Sequence, residues 1–118
     1  MQKAIEHLKA AWEHFEQGHD DETLGSCYKA FEYLAKKNKF SHPDQNAFEK
    51  MLSAIPEEEK RRRLKMVMHA LCHLLSLGRH ESGTEGVTID ERESEYGLIL
   101  SQATLGYLAN VMREASAK

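Results

Sequence analysis

Apolar residues in this chain return every three or four positions, and the opening run of Ile5, Leu8, Trp12 and Phe15 sets the pattern. Steps of that size bring side chains back to one face of an α-helix, whereas a half-buried strand needs strict alternation. The pattern is interrupted only at short polar or glycine-bearing stretches. An all-α fold is therefore expected: an up-and-down bundle of four to five helices in a single domain, residues 1–118.

The breaks place the helices. "QGHDD" ends the first at Gly18, and Asp20 or Asp21 is the expected cap of a second helix carrying Leu24, Cys27, Tyr28, Phe31, Leu34 and Ala35 on one face. "KKNKFSHPD" then separates this hairpin from a short third helix with Phe48, Met51, Leu52 and Ile55, with Ser41 and Asp44 as its start signal. Pro56 followed by three glutamates opens a fourth helix, whose expected core stripe is Leu64, Val67, Leu71, Leu74 and Leu75. Gly78 stops it, Arg79–Ile89 reads as a loop, and Asp90 with Glu93 forms a capping box for a last helix reaching about Ala115.

That last helix carries two apolar stripes. One is Tyr96, Ile99, Leu100, Ala103, Tyr107 and Val111; the other is Leu98, Leu105, Leu108 and Met112. A helix apolar over most of its circumference is buried on more than one side, as the centre of its bundle or as part of a subunit interface, and a homodimer is expected.

Composition narrows the function classes. A net charge of −3 gives no global basic field, so any nucleic-acid surface must be a local patch. No apolar run has the length of a membrane span, and the opening "MQKAIEHLKAAWEHF" lacks the continuous apolar core of a signal peptide, so a cytoplasmic location without membrane partners is expected. Cys27 and Cys72 fall within helical patterns and are expected to be reduced, buried thiols. No nucleophile elbow and no glycine-rich phosphate loop is present.

The local patch is sought on the fourth helix. At about 100° per residue, Arg62, Lys65, His69, His73 and Ser76 share the face opposite the leucine stripe, with Arg79 and His80 at its end. Such a face could neutralise an RNA backbone, with histidines able to move protons near neutral pH. Equally, it could be a solvated helix surface. His69 and His73 also have the four-residue spacing of a metal-binding pair, but Ala70 stands where the zinc-protease helix carries its catalytic glutamate, and neither a metal nor another cofactor is expected.

The segment "HLLSLGRHESGTEGVTIDERESEYGLILSQATLGYLANVM" resembles the C-terminal part of the abortive-infection-like branch of HEPN domains. The hairpin "HLKAAWEHFEQGHDDETLGSCYKAFEYLAKK" looks like the paired opening helices of that superfamily. The resemblance implies a small helical bundle that dimerises. It further implies either a metal-independent ribonuclease of a toxin–antitoxin, phage-defence or RNA-processing system, or an inactive relative serving binding or assembly. The family signature is an arginine, four to six further residues, and a histidine. His80 matches the signature histidine by position, and the arginine then falls at about His73. Arg79 adjoins His80 and lacks the spacing, while Arg63 or Arg62 with His69 matches formally, but upstream of the expected corner.

The expectation is accordingly a HEPN-like homodimer that pairs through its last helix and engages RNA or a nucleotide in a defence or stress system. His80 and His73 are its candidate catalytic residues, and Arg79, Arg62, Arg63, Lys65 and His69 its candidate binding residues. An antitoxin or a nucleotidyltransferase is a possible partner. The alternatives are a toxin-type endoribonuclease and a non-catalytic dimerisation or protein-interaction module.

Overall fold

The computed structural model describes residues 1–79 and 86–116. Among these, five α-helices and one 3-10 turn follow in order: α1 (Gln2–Glu16), α2 (Asp20–Lys37), α3 (Gln45–Met51), α4 (Glu58–Leu75), the turn Ser76–Arg79, and α5 (Glu91–Ser116). The all-α bundle expected from the periodicity is what the chain forms.

The central element is α2, not the last helix. Leu24, Cys27, Ala30, Phe31, Leu34 and Ala35 are all fully buried, and α2 packs against α1, α4, α5 and the 3-10 turn. Its neighbours approach closely because small residues line the crossings. Ala4 and Ala11 are the buried residues of α1, while Leu8, Trp12 and Phe15 are only partly covered and Ile5 lies in solvent. The expected large-residue stripe of α1 is thus turned partly outward, since an edge helix with one main neighbour buries the narrow face that lets it sit nearest. A Cβ on Gly97 of α5 would stand 2.5 Å from a methyl of Leu24, so α5 lies directly on the central helix.

Two polar ties join α5 to the opening hairpin. The Ser94 hydroxyl donates to the Asp20 carboxylate at 2.8 Å, and the Trp12 indole N–H donates to Gln102 at 3.1 Å. Asp20 therefore binds across to α5 and does not cap its own helix, whose N-cap is His19 without a side-chain cap bond. Asp44 caps α3 by accepting from the Ala47 N–H, leaving Ser41 outside the box. The Asp90–Glu93 box forms as expected.

The helix ends before the two connections have one geometry and different residues. After α1, Gly18 adopts φ +78° while the His19 N–H returns to the His14 carbonyl; after α2, Lys39 adopts φ +74° while Phe40 N–H returns to Ala35. This left-handed C-terminal turn suits glycine and strains a residue with a Cβ. The strained version aims Phe40 at the core and starts the turn 41–44 along the flank of α4.

The tightest contact joins α2 to the 3-10 turn. A Cβ on Gly78 would lie 2.5 Å from both the Asp21 carbonyl oxygen and the Gly25 nitrogen, all rigid backbone. Gly78→Ala is expected to destabilise the fold by about 2–3 kcal/mol in urea unfolding, because neither backbone can yield without opening the corner. Lys39→Gly should stabilise it by roughly 0.5–1 kcal/mol in the same measurement, by removing the left-handed strain.

Candidate functional site

The fourth helix is rotated from the expected orientation. Its buried residues are Met68, Leu71, Cys72 and Leu75, while Val67 is 67% exposed and Leu64 and Leu74 are half-buried. The buried face is centred roughly 50° from the leucine stripe, because α2 and α3 take up the Met68–Cys72 side. The leucine-weighted reading gave Met68 and Cys72 too little weight, and its assignment of Val67 to the core is incorrect. The same rotation carries His69 and Ser76 off the far side and onto the shoulder of the core.

There they line a pocket of about 150 Å³ with His73, Cys72, Tyr28, His42, Pro43 and Asp44. The walls are the C-terminal half of α4, the middle of α2, and the turn that Lys39 launches. The rings of His69 and His73 meet edge to face, centroids 4.6 Å apart, and the Ser76 hydroxyl donates to the His73 carbonyl. Three imidazoles thus face one small cavity, with the Asp44 carboxylate engaged at the start of α3. Among the described residues, no group of three or more His, Cys, Asp or Glu is arranged to hold a metal ion.

The other expected site residues are dispersed. Arg62 and Arg63 both pair with Glu59 in solvent, and the two guanidinium groups hold the Glu59 carboxyl down at about 2. Lys65 binds Glu49 at 3.1 Å; the bonds from Lys65 and Arg61 keep the Glu49 carboxyl below its usual range. Arg61 also donates to the Ile55 carbonyl at 2.6 Å, so this part of the basic run ties α4 to the end of α3. These exposed pairs stabilise little and are open to displacement by a stronger anion.

Arg79 turns away from the histidine pocket. Its guanidinium lies 4.6 Å over the Tyr28 ring centroid and 3.3 Å from the Glu32 carboxylate, on the wall of a second depression with His14, Glu22 and Lys29. Burial raises the Tyr28 phenol and Arg79 opposes the rise, so Tyr28 separates the two depressions, facing one and holding the other's cation. His80 and Glu81 lie outside the described residues.

Sequence reasoning brought His69 and His73 together and missed Tyr28, His42 and Asp44. His42 and Asp44 flank Pro43 in a stretch read only as a separator, and no periodic signal links them to a helix about 25 residues onward. A histidine held beside a proline in a short turn was the available hint.

Comparison with known proteins finds no match: no family model, no curated protein and no solved structure aligns with the chain. Neither cysteine is set up as a nucleophile. Burial drives the Cys72 thiol far above its ordinary range and pushes Cys27 up to about 11, so neither is a thiolate near neutral pH. Both are free and buried. Iodoacetamide at pH 8 should leave both thiols unmodified in the folded protein and alkylate both in 6 M guanidinium, read by intact mass.

Proposed function

We propose that this chain is a HEPN-like helical domain that works as a homodimer and holds RNA backbone phosphate at the histidine-lined pocket, without cleaving it. The observation that carries this reading is the convergence of His42, His69 and His73 on one cavity beside Tyr28 and Ser76. Imidazole N–H and phenol O–H groups are phosphate donors, and the basic residues Lys65, Arg62 and Arg63 precede the histidines along α4. A cavity of about 150 Å³ is smaller than the ~300 Å³ at which ligand pockets usually begin. It accommodates a phosphate group and leaves a nucleoside outside, which favours a strand lying across the face over a free nucleotide.

The resemblance supports reading such a domain as part of a defence or stress system, with an antitoxin or nucleotidyltransferase as candidate partner. Binding is preferred to cleavage because, among the described residues, no arginine lines the pocket beside the histidines to steady a developing charge on phosphorus. A second reading, an assembly module that recruits protein, is favoured by the exposed apolar side chains of α4 and α5.

The test is fluorescence anisotropy with a labelled single-stranded RNA, run beside a cleavage gel with and without chelator. Affinity is expected to fall steeply between 50 and 200 mM salt, as phosphate contacts release counterions. H69A/H73A should weaken binding about tenfold or more while circular dichroism stays unchanged, and the RNA should remain intact. Salt-insensitive binding, or full affinity in the double variant, would overturn the phosphate reading.

A further inference from the structure

A block of exposed apolar surface follows α5. Tyr96 is 60% exposed, Ile99 52% and Tyr107 39%, and with Ala103 they form a stripe on the side turned away from α2. Val67 and Leu74 of α4 continue it across an apolar groove of about 340 Å³ shared with Tyr96 and Leu100. By contrast, the Leu98, Leu105 and Leu108 stripe is buried in the bundle itself and has nothing left to offer a partner.

We infer that this face is covered by a second copy of the chain, with the two α5 helices packed antiparallel about a two-fold axis at Ala103. The inference rests on the proposed homodimer and supplies its orientation and register. The outward stripe is self-complementary when reversed. Around Ala103, Ile99 and Tyr107 lie four residues to either side, Tyr96 and Asn110 seven, and Arg92 and Glu114 eleven. Offsets of four, seven and eleven return to one helix face. A two-fold axis there sets Ile99 against Tyr107, Tyr96 against the Asn110 amide, and Arg92 against the Glu114 carboxylate, each contact made twice. A parallel pairing would instead bring Arg92 against Arg92 and Glu114 against Glu114.

Size and packing agree with this arrangement. Arg92 to Glu114 spans about 33 Å, and two adjacent helices give the face a width of about 20 Å. That outlines roughly 660 Å², toward the lower end of the ~600–1,000 Å² that each partner contributes to an ordinary interface. Ala103 at the axis is small and exposed, which permits the helices to approach within the ~8–10 Å of a packed pair. Arg92 now binds its neighbour Asp90 at 2.8 Å, an exposed pair that costs little to exchange for Glu114 of a second copy. The histidine pocket opens on the opposite flank of α4, so each copy in the dimer keeps its own.

The experiment measures the mass of the full chain by sedimentation equilibrium without RNA, together with oxidative cross-linking of A103C. The wild-type chain is expected to be a dimer. Ile99→Asp should give a folded monomer by circular dichroism, and A103C should cross-link to a disulfide dimer, with buried Cys27 and Cys72 taking no part. R92E and E114R should each weaken association by roughly tenfold, and R92E/E114R should restore it. A monomeric wild-type chain would overturn both this inference and the homodimer in the functional reading. A wild-type dimer that survives Ile99→Asp, or in which A103C stays uncross-linked, would overturn the proposed register alone. RNA binding is read separately and bears on neither outcome.

Discussion

The bundle depends on the close passage of the Gly78 backbone over the α2 backbone at Asp21 and Gly25. With no side chain at Gly78, the 3-10 turn lies against the first turns of the central helix. That contact determines where α4 ends and sets Arg79 over Tyr28 and Glu32. It also fixes the height at which His73 and Ser76 stand beside the Tyr28 ring. A bulkier corner would lift the end of α4 away from α2 and open the pocket floor. The Arg79 guanidinium is thus chiefly a clamp on this corner. It closes over the tyrosine face that the histidine pocket leaves uncovered, and a cation held over an aromatic face can add about 0.5–1 kcal/mol at a site of this exposure.

The helices were legible in the sequence because periodicity and punctuation agree along nearly the whole chain. What could not be read was the depth of each helix in the bundle. Depth depends on how many neighbours a helix has, and a helical wheel carries no information about neighbours. In α1, alanines are buried and Ile5 is exposed; in α4, Met68 and Cys72 are buried and Val67 is exposed. In both cases the wheel followed the most hydrophobic residues, whereas the fold used the narrowest face or the most crowded side. The capping error at Asp20 has a specific cause. Asp20 is a good local cap, but its carboxylate is taken by Ser94, 74 residues away, and a local rule cannot weigh a long-range partner.

For the candidate site, the sequence revealed the part that lies on a single helix. His69 and His73 are four apart and must share a face, so their proximity follows from helix geometry alone. Their union with His42 and Tyr28 requires the turn after α2 to fold back along α4. That route is set by a strained Lys39, by Phe40 packed against the core, and by the cap at Asp44. None of these features announces a site; each is an ordinary device for turning a chain. The arginines were grouped with the histidines because charge is visible in a sequence, while the glutamates that engage them, Glu59 and Glu49, are visible only as more charge.

The division of labour around α4 bears on whether cleavage is plausible for such a domain. An active site assembled across a two-fold axis requires its cation and its proton-transferring groups to lie at the seam. Here the exposed apolar groove and the three imidazoles occupy different flanks of α4, while Arg62 pairs with Glu59 and Arg79 stacks on Tyr28. A phosphate in the pocket would meet hydrogen-bond donors without a fixed positive charge aimed at it. Such donors can hold a phosphate, but among the described lining residues no cation joins them to steady charge that develops on phosphorus. On the proposed reading, the placement of charge, more than the presence of histidine, favours holding phosphate over cleaving it.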